Sequence, residues 1–196
     1  MGGGWNHNMH YHAAVLGWVP ANAHAALDVG CGEGLLTRRL RRTVPQVVGI
    51  DIHEPSIARA RDADHIGVEY VVGDFLTHPF EPESFDFIAS VASLHHMDVG
   101  VALERMRQLL RPGGRLAVVG LARSRRTVDL PVDLAGVIAH RWHTRTAPSV
   151  EDDAPKVWPP SLTYGQTRRV AMRALPGSTY RRRLLWRYTL TWTRPR

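Results

Sequence analysis

The chain has 196 residues, 44% of them hydrophobic and 22% charged, with a formal net charge of +7. That length suits one domain with a sizeable core, and no run reaches the roughly 18 apolar residues of a membrane span. A single cysteine, Cys31, excludes an internal disulfide framework and a cysteine-based metal cluster. The N-terminus MGGGWNHNMHYH lacks a charged stretch followed by an apolar one, so a cytoplasmic location is expected. Arginine carries nearly all the positive charge, at Arg38-Arg39, Arg41-Arg42, Arg123 to Arg126 and Arg181 to Arg183. No aromatic-interleaved, low-complexity stretch accompanies it, which favours a solvated surface over a nucleic-acid footprint.

In chain order, residues 5–18 read as a short helix that Pro20 ends. His7, His10 and His12 lack a carboxylate or cysteine to complete a metal site, so no metal is expected. Apolar Ala26, Leu27 and Val29 then form a buried strand that runs into Gly30-Cys31-Gly32-Glu33-Gly34, and apolar residues at helical spacing follow from Leu35. Strand, glycine turn and helix N-terminus make a nucleotide-type site whose free N–H groups face a ligand. A dinucleotide fingerprint fails because its last glycine position falls on Leu35, and no Lys-Ser or Lys-Thr follows to make a P-loop. Asp28 would oppose a phosphate and favour a cation such as the ammonium and sulfonium of S-adenosylmethionine. The D-x-G-x-G-x-G pattern from Asp28 to Gly34 resembles motif I of the class I, Rossmann-like S-adenosylmethionine-dependent methyltransferases. Within it, Cys31 reads as a small side chain beside the ligand, not a catalytic thiol.

A second strand, Val47 to Ile52, ends in Asp51 about 20 residues beyond the turn, where a carboxylate accepts from ribose hydroxyls; capping the next helix is the other role open to it. A helix at 55–64 and a strand at 68–72 lead to Gly73-Asp74-Phe75, which resembles the family's adenine-binding corner. There Asp74 would accept from the exocyclic amine and the Phe75 backbone would meet the ring edge. The strand 85–91 should lie beside the first, and is followed by Ser93-Leu94-His95-His96-Met97 and an amphipathic helix at 101–110. L-R-P-G-G-R-L and a strand at 115–121 again resemble the same family. Residues 122–160 break the rhythm with a possible helix at 128–142, and His140, Trp142, His143 and Trp158 suit a lid. A helix at 162–175 with Ser161 as N-cap, then two antiparallel strands at 180–185 and 186–193, close the chain.

The resemblance implies an α/β fold with a Rossmann-like, seven-stranded, mostly parallel sheet, helices on both faces and a C-terminal antiparallel hairpin. It implies a single domain over residues 1–196, with 1–24 as an N-terminal cap over the cofactor and 122–160 as a substrate lid. The cofactor-binding set would be Tyr11, His12, Asp28, Gly30, Cys31, Gly32, Gly34, Asp51, Ile52, Asp74, Phe75 and Val91. Methyl transfer needs donor and acceptor in line, and a neutral histidine serves where the acceptor must lose a proton. His96, ahead of His95, is the candidate base, since adjacent residues should point to opposite sides. The expected activity is methyl transfer from S-adenosylmethionine to an O, N or C atom of a small-molecule metabolite, with no membrane partner. An RNA methyltransferase using the arginine clusters and a catalytically inactive donor-binding module are the alternatives.

Overall fold

The computed structural model describes residues 9–63, 67–124 and 159–196. The strands are β1 (Ala25–Val29), β2 (Gln46–Asp51), β3 (Val68–Val72), β4 (Phe85–Val91), β5 (Leu110–Gly120), β6 (Thr179–Arg182) and β7 (Tyr188–Thr193). They form one sheet in the order β3-β2-β1-β4-β5-β7-β6. Neighbours from β3 to β5 pair in parallel, and β7 runs against both β5 and β6. The expected architecture, with β4 beside β1, is the one adopted. Its strand order reverses between β1 and β4, and a crevice opens there at the carboxyl ends of the strands.

Helices α1 (His12–Leu16) and α2 (Leu35–Arg41) pack on one face, over Ala26, Phe87, Ala117 and Val119. On the other face α4 (Val99–Leu109) and α5 (Tyr164–Ala174) cover Leu27, Ile88, Leu116 and Val118. Alternate residues of β5 therefore serve opposite cores, which is why its Leu116–Val119 run is apolar throughout. The helix α3 (Glu54–Ala63) buries Ile57 and Ala60 against Tyr70 of β3.

Several boundaries differ from the sequence reading; the last two strands, expected at 180–185 and 186–193, are Thr179–Arg182 and Tyr188–Thr193, with the residues between them forming the turn. Strand β5 begins at Leu110, not Arg115, because the R-P-G-G segment is absorbed as an irregularity where pairing shifts from Phe85–Leu110 to Phe87–Arg115. The cap of α5 is Thr163, not Ser161: its hydroxyl accepts from Gln166 N–H while Gln166 returns a bond to the Thr163 N–H. Ser161 has Tyr164 three residues on, whose side chain has no carbonyl to return that bond. Within 5–18 a 3-10 turn at Met9–Tyr11 precedes α1, which ends at Leu16. The possible helix at 128–142 lies outside the described residues, as does most of the expected lid.

Candidate active site

The glycine turn joins β1 to α2 at the crevice. Gly30 has φ 72°, and a Cβ there would lie 2.1 Å from the Ser93 Cβ. Gly34 has φ 73°, and a Cβ would lie 2.3 Å from the Tyr70 hydroxyl. Both positions thus require glycine for backbone conformation and for space. The N–H groups of Gly30 and Cys31 both donate to the Ile50 carbonyl, at 2.8 and 3.1 Å, and draw the turn against the end of β2.

Asp51 stands at that end. Its carboxylate accepts from the Gly32 N–H at 2.8 Å and from the His53 N–H at 2.9 Å, and its carbonyl accepts from the Gly73 N–H at 2.9 Å. Three backbone groups fix it, yet each carboxylate oxygen retains a lone pair for a ligand. Beside it Ile52 is 73% exposed.

Asp28 lies beneath the turn, fully buried, and accepts from the Thr37 hydroxyl at 2.7 Å. Burial pushes its carboxyl up to about 7, against the lowering effect of Thr37 and with a contribution from Asp51. A cavity of about 90 Å³ opens between Asp28, His12, Gly30, Cys31, Leu36 and Val91. His12 accepts at Nδ1 from Arg39 at 3.2 Å, and burial together with that guanidinium lowers its pKa to about 4. Burial also drives the Cys31 thiol upward, assisted by Asp28 and Asp51, so it stays protonated. Tyr11 does not line this cavity; its hydroxyl donates to the Leu184 carbonyl at 2.7 Å and ties the N-terminal turn to the β6–β7 connection.

Asp74 is exposed after β3, and its carboxylate accepts from the Leu76 N–H at 2.9 Å. Phe75 is buried in the core, with its carbonyl taken by Arg105 at 2.7 Å. His95 and His96 sit on a 3-10 turn, Leu94–His96, at the carboxyl end of β4. Their rings lie 4.1 Å apart, side by side rather than on opposite sides of the chain as expected. Burial, His96 and Arg187 lower His95 to about 4. Burial also lowers His96, and the Asp51 carboxylate partly offsets it.

A sequence signature described as "Methyltransferase domain" matches residues 27–118, from the first strand through the glycine turn to the fifth strand. An uncharacterised methyltransferase of Mycobacterium tuberculosis is 36% identical over 193 residues, which is 97% of this chain and 98% of that protein. The chain belongs to the class I S-adenosylmethionine-dependent methyltransferases. A solved S-adenosylmethionine-dependent methyltransferase from Mesorhizobium loti shares the fold at a TM-score of 0.63 and 19% identity, over 93% of this methyltransferase and 96% of its own chain. A ubiquinone biosynthesis O-methyltransferase of Bradyrhizobium diazoefficiens is 34% identical over 124 residues, 61% of this chain and 48% of that one.

Several residues of the methyltransferase site carried no signal in the sequence. Ser93 donates to the Val29 carbonyl at 2.7 Å and packs on Gly30, and Thr37 holds Asp28. Buried Arg187 lies close enough to His95 to lower its pKa. Each depends on a partner in another element of the fold, which no local pattern announces.

Proposed function

We propose that this methyltransferase transfers the methyl group of S-adenosylmethionine to an O, N or C atom of a small-molecule acceptor, with the donor lying from Asp28 past Asp51 to Asp74. The observation that carries this reading is Asp51, fixed by three backbone N–H groups with lone pairs to spare and flanked by the 73% exposed Ile52. A rigid carboxylate beside an exposed apolar side chain suits a ribose diol next to an aromatic ring. The rest of the rim fits the same donor. Asp28 and the small cavity beside it suit a short cationic amino-acid end, and exposed Asp74 would accept from an exocyclic amine.

When bound, the donor supplies a methyl carbon made electrophilic by its sulfonium. The protein has to align the acceptor with that carbon, exclude water and take up a proton where the acceptor carries one. His96 is the residue we assign to the proton: its lowered pKa keeps it neutral at pH 7, and its nearness to Asp51 steadies the imidazolium it would become. His95, lowered to about 4, is the weaker base. Its buried Nδ1 has no hydrogen-bond partner among the described residues, which suits an acceptor hydroxyl.

The lid over residues 122–160 belongs to the same reading. Arg123 N–H donates to the Leu162 carbonyl at 2.8 Å, and Arg123 bridges Thr163, so the segment leaves and returns at one point. That point borders His95, which lines a small pocket with Leu121, Pro160, Ser161 and Leu162. The small-molecule class of acceptor draws on the partial match to a quinone-pathway enzyme.

Incubation of the protein with methyl-labelled S-adenosylmethionine and a cell extract, later split into small-molecule, RNA and protein fractions, tests the proposal. Label should enter the small-molecule fraction and fall at least tenfold with His96→Gln. Label confined to RNA or protein would overturn the acceptor class.

A further inference from the structure

Residues 159–196 contain nine arginines and no lysine, aspartate or glutamate, more positive charge than the +7 of the whole chain. Part of it serves the fold: Arg194 pairs with Glu83 at 2.5 Å, and Arg187 is buried. Arg181, Arg182 and Arg183 gather at the connection between β6 and β7, where the sequence reads R-R-R-L-L-W-R. The Arg183 N–H donates to the Arg187 carbonyl at 2.8 Å and closes a tight hairpin. Its central residues Leu185 and Trp186 both have positive φ, 57° and 55°. Turns of this geometry favour Asn and Gly, so two bulky apolar residues are held there against backbone preference.

Leu185 is turned inward and buried, which leaves Leu184 and part of Trp186 as the outer apolar surface of the tip, with a cationic collar around it. Leu184 is 48% exposed, Trp186 is half-buried, and Arg181 is exposed. The bond from the Tyr11 hydroxyl to the Leu184 carbonyl holds the tip in place. Tyr188 pairs with Gly120 at the carboxyl end of β5, so the tip stands at the same end of the sheet as the glycine turn.

We propose that the Leu184–Trp186 tip is a peripheral docking point for an anionic lipid bilayer, with Leu184 and Trp186 at the headgroup boundary and Arg181 and Arg183 on lipid phosphates. Planar guanidinium groups match phosphate oxygens, and tryptophan is amphipathic in the way that places it at membrane interfaces. An exposed leucine adds nothing to recognition of a nucleic-acid backbone, and this separates a lipid surface from RNA as the partner. Attachment through one tip is reversible and needs no spanning helix; none of the described helices is long and apolar enough to span. Docked in this way, the methyltransferase would turn the mouth of its cleft toward the bilayer.

The test is flotation of the full chain with vesicles of phosphatidylcholine alone and of equimolar phosphatidylcholine and phosphatidylglycerol, with polyuridylate binding measured in parallel. The tip predicts flotation with the anionic vesicles only, loss of at least tenfold in binding with Leu184→Asp, and a several-fold loss with Arg181→Glu that mirrors added salt. Both variants should keep the melting temperature and S-adenosylhomocysteine affinity of the parent. Absence of flotation with the anionic vesicles, flotation unchanged by Leu184→Asp, or Arg181-dependent binding of polyuridylate without flotation would each overturn the proposal.

Discussion

Asp86 accepts hydrogen bonds from the His24 and Ala25 N–H groups at 2.8 and 2.9 Å and pairs with Arg111 at 3.0 Å. It thereby joins the start of β1 to β4 and β5. Partial burial alone would raise its pKa, but the two N–H groups and Arg111 together hold it below the usual carboxylate range. Its stabilising effect is therefore full above the unfolded carboxylate pKa and is lost as pH falls through the lower folded value. Asp86→Ala should cost about 2 kcal/mol, read as a lower urea midpoint at unchanged slope. Asp28 works in the opposite sense. With its carboxyl at about 7, only the ionised fraction can face a cationic donor, so donor affinity should weaken as pH falls below 7. Asp28→Asn should lower the affinity at pH 8 and flatten that dependence, which calorimetry at several pH values would show.

At the scale of elements, α5 depends on its capping box. Thr163→Ala removes the acceptor for the Gln166 N–H and should cost about 1 kcal/mol, seen in the melting temperature. The same helix shows where the sequence was legible. Its periodicity set its course, but the choice of Thr163 over Ser161 turned on a reciprocal bond that a list of cap residues does not rank. The parallel strands were legible because central strands are apolar on both faces; β1 and β4 fall where their apolar runs do. The early start of β5 was not, since Pro112 and Gly113 read as a turn and only the pairing with β4 absorbs them. In the site, Gly30 through Gly34 and Asp51 stood out because the backbone chemistry is local. Ser93, Thr37 and Arg187 did not, because tertiary contacts create their roles. The side-by-side rings of His95 and His96 have a similar origin, as the 3-10 turn replaces the alternation expected of an extended chain.

For the whole molecule, buried titratable groups set how stability varies with acid. His12 and His95 fall from 6.5 to about 4 on folding, so between those values the unfolded chain binds about two more protons than the folded one through them. Asp28, raised from 3.8 to about 7, makes the folded chain bind about one more. These three groups leave a net excess of about one proton in the unfolded state. Stability should therefore fall by about 1.4 kcal/mol for each pH unit from 6.5 toward 4, less what solvent screening trims at half-buried His95. Asp28→Asn removes the opposing group and should roughly double that slope. Chemical denaturation at half-unit pH steps would measure both, and a flat profile in Asp28→Asn would show that the histidines titrate normally.

The proposed donor site rests on the glycine turn and Asp51, and titration of S-adenosylhomocysteine into the parent and into Asp51→Ala tests it most directly. Loss of two charge-assisted hydrogen bonds to the ribose should weaken binding by about a hundredfold or more, while loss of the bonds from the Gly32 and His53 N–H groups should lower the melting temperature of the free protein by a few degrees. Equal affinity in the two proteins would contradict the placement of the donor along this rim.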